Sequence, residues 1–271
     1  MIRVKYIIPD KLSDTHINRG LPDLLRQRLP VSGAMLVVDK LPQIVHVFGL
    51  WNSVYAKLLK RLRRKGLPVV FTSIEGLSPL LNVNGNTTND IIRIAAIRQI
   101  CTSCNIIHVC GNTEKALLES LSKKARTKAI LNSMFTSLTD EETMLSMFQN
   151  TYISAYEQNT KLIRESISKK VKTATNDGTI AEICSCLMYI RSLYISGCIP
   201  QKVLDDTTST MMTHDYDETE MANVLKALKM LRFSSFCMSL LENRTQLTEG
   251  FMPIPAASGK IDNRMLNMIV E

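Results

Sequence analysis

The clearest hydrophobic pattern in the chain runs through residues 44–81, IVHVFGLWNSVYAKLLKRLRRKGLPVVFTSIEGLSPLL. Residues 44–48 are a short apolar run rich in β-branched side chains and closed by Gly49, the pattern of a strand covered on both faces of a parallel sheet. From residue 52 to residue 65 the spacing becomes helical. Val54, Tyr55, Leu58, Leu59 and Leu62 share one face, and Lys57, Lys60, Arg61, Arg63, Arg64 and Lys65 occupy the others. Gly66 stops this helix, and Pro68, which fits poorly inside one, opens a second buried run at residues 69–72. Strand, helix and parallel strand make a βαβ unit. The loops that follow its strands, 49–52 and 73–78, lie where open parallel sheets bind ligands.

The alternation extends in both directions. Residues 3–8 and 36–39 read as strands, the second at an edge, separated by a polar loop at 11–20 and a short helix at 21–29. A polar loop at 82–89 leads to a helix capped by Asn89 or Asp90, with Ile91, Ile94, Ala95, Ile97 and Ile100 inward. Residues 106–110 return as a strand, 113–122 as a helix with Leu117, Leu118 and Leu121 inward, and 129–131 as a last strand. The expectation is an α/β domain over residues 1–132, a Rossmann-like parallel sheet.

Beyond residue 132 the pattern is helical. Thr139 and Glu142 form a capping box opening a helix through residue 171, with Met144, Met147, Phe148, Tyr152, Ala155 and Tyr156 inward. Further helices read at 179–196, 200–212 and 217–244, the last with a break near Phe233. Pro253 and Pro255 imply an extended segment, expected to pack back on the first domain, before a short closing helix. Residues 133–271 are therefore expected to form an all-helical region with an extended C-terminal tail.

Composition narrows the setting. The 271 residues, 45% apolar and 21% charged, suffice for one large or two modest domains with a sizeable core. No apolar run is long enough to span a bilayer, and the opening MIRVKYIIPDKL has no small-residue cleavage site, so the expectation is a cytoplasmic protein. Seven cysteines, an odd number, point to reduced thiols. Cys101 and Cys104 stand at a spacing that can hold one metal ion, and a four-ligand site would need His108 and Cys110 as well. Small buried cysteines are the expectation, with no metal. Charge is uneven: residues 1–131 hold 20 Lys and Arg against 8 Asp and Glu, residues 132–271 hold 13 against 17.

The central stretch resembles the N-terminal domain of GT-B glycosyltransferases, in particular bacterial family 4-like enzymes of polysaccharide biosynthesis. There a strand ending in His-x-His-Gly-x-Trp is followed by a basic helix and a strand running into a Thr-Pro-His-Gly loop. The matching residues are His46, Gly49, Leu50 and Trp51, then Val69, Val70, Phe71, Thr72, Gly76 and Leu77. Phe48 stands for the second histidine, and Ser73, Ile74, Glu75 and Gly76 form the loop. Residues 105–118, NIIHVCGNTEKALL, are similar to the family segment in which a glutamate opens a helix after a strand, and Asn132 matches the asparagine of its linker. The resemblance covers about half the chain. A second Rossmann-like domain with paired glutamates, where the family holds its nucleotide sugar, has no counterpart in residues 133–271.

This resemblance implies transfer of a sugar from a nucleotide-activated donor to a glycan or lipid-linked acceptor, with the nucleotide sugar as co-substrate and no other cofactor. Glu75 and His46 are the candidate catalytic residues; Trp51, Gly49, Gly76 and Ser73 are candidates for binding substrate. Each has a plainer alternative. His46 fits a hydrogen-bonded core histidine, Trp51 fits a pin between helix and sheet, and Glu75 fits a solvated loop carboxylate. Glu114 is explained by helix capping alone. Lys57, Lys60, Arg61 and Arg64 could hold the protein to the anionic inner face of a membrane, and their plainer alternative is a solvated helix face. Nucleic acid is not expected as a partner, since the basic helix carries one aromatic residue. The rival reading is a non-catalytic binding or scaffold module derived from such an enzyme, completing or regulating a partner that supplies the donor domain.

Overall fold

The computed structural model describes residues 1–10, 16, 18–32, 35–76, 78–81, 87–130, 140–257 and 263–271. It divides into two compact units, Met1–Asn159 and Thr160–Glu271.

The first unit begins with β1 (Ile2–Ile7), α1 (Leu21–Arg28), β2 (Met35–Val37), β3 (Ile44–Gly49), α2 (Ser53–Arg64) and β4 (Val69–Ser73). It continues through α3 (Ser78–Leu81), α4 (Thr88–Ser103), β5 (Ile106–Val109), α5 (Asn112–Leu121) and β6 (Thr127–Ala129). The helix α6 (Glu141–Val171) follows, and the division between the units falls within it. The six strands form one sheet in the order β2-β1-β3-β4-β5-β6, every neighbouring pair parallel. Every residue of β3, β4 and β5 is buried, which is why their sequences read as predominantly apolar runs without polar alternation, whereas the edge strands β2 and β6 are only partly buried.

Side chains alternate across this sheet. Val45, Val47, Val69, Phe71, Ile107 and Val109 pack with Ala56 and Leu59 of α2, Ala96, Ile97 and Ile100 of α4 and Leu118 of α5. Ile44, Phe48, Val70 and Ile106 pack on the opposite face with Leu21 and Leu25 of α1 and with Met144, Phe148, Tyr152 and Ala155 of α6. The layering is that of an α/β fold with helices on both faces of a parallel sheet.

Helix registers depart from the sequence pattern in places. Ile91 is 60% exposed and Val54 68% exposed, so the buried faces of α4 and α2 are narrower than their apolar spacing suggested. α4 starts earlier than expected, because Thr87 and Asp90 form a reciprocal capping box. Asp140 caps α6 by accepting from the Thr143 amide, a hydrogen bond that holds its carboxyl below the ordinary range. Thr139, Asn132 and the expected boundary at residue 132 lie outside the described residues, as do Leu77 and residues 82–86 of the polar loop.

The second unit carries the end of α6, then α7 (Gly178–Ser196), β7 (Ile199–Pro200), α8 (Gln201–Thr213), α9 (Glu218–Ala227), α10 (Leu231–Arg244), α11 (Asn263–Leu266) and β8 (Ile269–Val270). It is helical as expected, apart from the two-residue parallel pairing of β7 with β8. The break expected near Phe233 falls earlier, where Lys229 adopts a positive φ of 57° between α9 and α10. Ile183, Leu187, Leu204, Met211, Met221, Leu225, Met238 and Leu241 fill its core. Met252 and Ile254 are buried in the same core. The extended segment around Pro253 therefore packs on the second unit, correcting the expectation that it returns to the first.

Candidate functional site

In a parallel sheet the loops after the strands gather at the carboxyl edge, and here β1 and β3 flank the point where strand order reverses. Gly49 at the end of β3 is in register with Ser73 at the end of β4, and the Ile74 amide donates to the Gly49 carbonyl at 3.0 Å. The two loops marked out in the sequence are thus held side by side. A Cβ on Gly49 would overlap the ring of Tyr55, so the close passage of the chain beneath the start of α2 requires glycine. Gly76 lies in the left-handed region, with φ 64°.

Asn18 knits the rim together. Its Nδ2 donates to the Ser73 carbonyl at 2.8 Å and lies 3.3 Å from Cys110 Sγ, and its backbone amide donates to the Ile74 carbonyl. Cys110 in turn donates its amide to Glu114 Oε2 at 2.8 Å. Burial raises the Glu114 carboxyl above its ordinary range, opposed by that hydrogen bond, and burial beside Glu114 pushes the Cys110 thiol up to about 11. Cys110 is therefore a protonated thiol at neutral pH. The Ser73 hydroxyl is buried and finds no hydrogen-bond partner among the described residues. Glu75, half-buried, is the carboxylate this loop carries.

The other sequence candidates sit deeper. Trp51 is 2% exposed, lies edge-to-face on Phe71 with ring centroids 5.1 Å apart, and donates Nε1–H to the Gly76 carbonyl at 3.4 Å. It takes the pinning role, fastening the loop after β4 to the sheet, and offers no open face to a sugar.

His46 takes the core role. It is fully buried, with Nδ1 2.6 Å from the Tyr152 hydroxyl and Nε2 2.7 Å from Thr72 Oγ1. Thr72 Oγ1 lies 2.9 Å from His108 Nδ1, and His108 Nε2 lies 3.1 Å from the Ile130 carbonyl. Burial holds both imidazoles well toward the neutral form, His46 further disfavoured by the nearby His108 and His108 drawn down to about 4. Neutral rings fix the proton positions. A carbonyl can only accept, so His108 carries its proton on Nε2 and accepts at Nδ1 from Thr72. Thr72 then accepts from His46 Nε2–H, and Tyr152 donates to His46 Nδ1. The result is a one-way ladder from α6 across β3, β4 and β5 to the residue after β6.

His46 and Glu75 are thus not brought together: the histidine belongs to the ladder inside the sheet, the carboxylate to the rim outside it. The pattern reading passed over Asn18, and it gave Thr72 only as a strand residue of the motif and Tyr152 only as an inward helix position, with no polar role for either. One polar residue on each of three neighbouring apolar strands, His46, Thr72 and His108, was the available signal for the ladder. Cys101 and Cys104 are buried thiols raised by desolvation, Cys101 to about 11. Among the described residues no group of three or more His, Cys, Asp or Glu is placed to hold a metal ion, and both nitrogens of His108 are engaged. No helix among the described residues is long and apolar enough to cross a membrane. The chain matches no protein-family model, no curated protein and no solved structure.

Proposed function

We propose that the first unit is a glycosyltransferase-like domain that binds a sugar acceptor at the carboxyl rim of its sheet, in the loop from Ser73 to Gly76. The observation that carries this reading is the pairing of the loops after β3 and β4 beside a strand-order reversal, with Gly49 against Ser73 and the half-buried Glu75 in the second loop. In transfer, the acceptor hydroxyl attacks the anomeric carbon of an activated sugar. The bond from that carbon to the diphosphate breaks, the nucleoside diphosphate leaves, and Glu75 takes the hydroxyl proton. Trp51 and Gly49 shape the loop from within, and His46 holds β3 and β4 in place through Thr72 rather than touching substrate.

A second reading is favoured by one feature: the described residues of the second unit form helices and one two-residue pairing, not a second parallel sheet to hold a donor. On that reading the rim binds a glycan and the donor comes from a partner protein. Contact with an anionic leaflet through Lys57, Lys60, Arg61 and Arg64, all exposed on α2, is compatible with either.

The test is calorimetric titration with free sugars and nucleotide sugars, alongside an assay for released nucleoside diphosphate. Release that Glu75→Gln abolishes supports the transferase. Sugar binding without release supports the binding module, and no sugar binding at all overturns both.

A further inference from the structure

At the opposite edge of the sheet the helices α2 and α4 end side by side. Arg64 closes α2 shortly before β4 begins at Val69, and Ser103 closes α4 shortly before β5 begins at Ile106, so both C-terminal ends lie beside the amino edge of the strands. Between them is an open cleft of about 680 Å³, lined by Lys60, Arg63 and Arg64 from α2 and by Arg98, Thr102 and Ser103 from α4. Gln99, also in its lining, donates Nε2–H to the Ala56 carbonyl at 3.3 Å and ties the two helices together there. Arg98 is anchored by an Nε hydrogen bond to the Leu121 carbonyl at 3.2 Å.

Four cations converge on this cleft, and among the described residues no carboxylate lines it. Among the described residues, the salt bridges Arg28–Glu141 and Lys202–Asp206 involve none of them. Like charges so placed repel one another, and folding alone gives no reason to gather them. The negative end of the α2 dipole accounts for basic residues in its last turn, but Arg98 stands more than a turn before the end of α4. An anionic ligand supplies the missing compensation, and guanidinium groups favour the paired oxygens of phosphate.

We infer that this cleft is a phosphate-binding site, separate from the rim, and that four cations suit a ligand bearing a diphosphate rather than a single phosphate. Nucleic acid fits less well, because among the described residues no aromatic side chain lines the cleft to stack a base. Tyr55, the aromatic residue of α2, lies at the other end of that helix, against Gly49. The inference is independent of the sugar reading of the rim.

The test compares the full chain with the double variant Arg63→Glu and Arg64→Glu, and with Lys169→Glu and Lys170→Glu, which makes the same charge change at exposed positions of α6. The probes are inorganic pyrophosphate by calorimetry, vesicles of phosphatidylglycerol in phosphatidylcholine by sedimentation, and a single-stranded oligonucleotide. The expected result is pyrophosphate or vesicle binding that weakens about tenfold or more in the cleft variant and little in the control. Pyrophosphate binding identifies a free diphosphate as the source, and vesicle binding alone a lipid surface that presents two or more single-phosphate headgroups to the four cations at once. Equal loss in both variants, no binding to either phosphate probe, or cleft-dependent binding of the oligonucleotide alone overturns the inference.

Discussion

His108 Nε2 stands 3.1 Å from the carbonyl oxygen of Ile130, and that contact sets the direction of every hydrogen bond behind it, back through Thr72 and His46 to Tyr152. A buried ladder of this kind stabilises only while every member is satisfied. Thr72 is its most exposed weakness, because it both accepts and donates. Thr72→Val leaves the His46 Nε2–H without an acceptor and His108 Nδ1 without a donor, and is expected to cost about 2 to 4 kcal/mol. Thr72→Ser keeps both bonds, loses a methyl group and costs about 1 kcal/mol. Urea denaturation ranks the two; equal losses would show that the ladder contributes nothing beyond packing.

The same histidines make stability depend on pH. Both are held below their ordinary pKa in the fold by burial, His108 at about 4, so as pH falls below about 6.5 the unfolded chain takes up protons first. Their contribution is complete above pH 6.5 and is lost as the pH falls toward the folded value. Each histidine then adds a slope of about 1.4 kcal/mol per pH unit, and His108 alone about 3 kcal/mol across its window. Glu114 runs the other way, since its raised carboxyl favours the fold as pH falls. Denaturation midpoints from pH 7 to pH 4 should therefore decline, and His108→Gln should flatten the decline even as it lowers stability at pH 7.

Gly49 tests the packing under the rim. Gly49→Ala places a methyl group in the space of the Tyr55 ring and is expected to cost about 1 to 3 kcal/mol. Truncating the ring in Gly49→Ala with Tyr55→Ala should recover part of that loss relative to the sum of the two single changes. Simple additivity in thermal melts would mean that the close approach is not what requires glycine.

Much of this architecture was legible in the sequence, for a physical reason. Central parallel strands are covered on both faces, so residues 44–48, 69–72 and 106–109 appear as short runs rich in apolar, largely β-branched side chains, each with one polar residue, whatever their neighbours are. Helix faces were less legible. Ile91 and Val54 carry the right spacing and yet point to solvent, because periodicity marks which residues share a face and not where a neighbouring element ends. The site was hardest to read. Asn18 reaches Cys110 across 92 positions, and His46 reaches Tyr152 across 106. Such pairings depend on strand order and register, which no local window contains. His46 and Trp51 stood out because they are chemically unusual in an apolar stretch; the fold uses that chemistry to hold itself together.

Glu75 and His46 should therefore separate on mutation. Glu75→Gln alters a half-buried loop residue and is expected to leave the melting temperature within about a degree or two, while removing any transfer that depends on a base. His46→Ala empties a fully buried site and strands Thr72 and Tyr152, at a cost of about 3 kcal/mol or more. Thermal melts set beside nucleoside diphosphate release distinguish the two. Activity loss in His46→Ala with unchanged stability would place the histidine in the chemistry after all.

Backbone amide shifts during titration with free sugars and nucleotide sugars test the binding claim most directly. Saturable shifts concentrated at Ser73, Glu75, Gly76 and Cys110 are the predicted result, with any shifts at Arg63 and Arg98 appearing only for ligands that carry phosphate. Free sugars that leave the rim amides unmoved, or move only amides of the second unit, would contradict it.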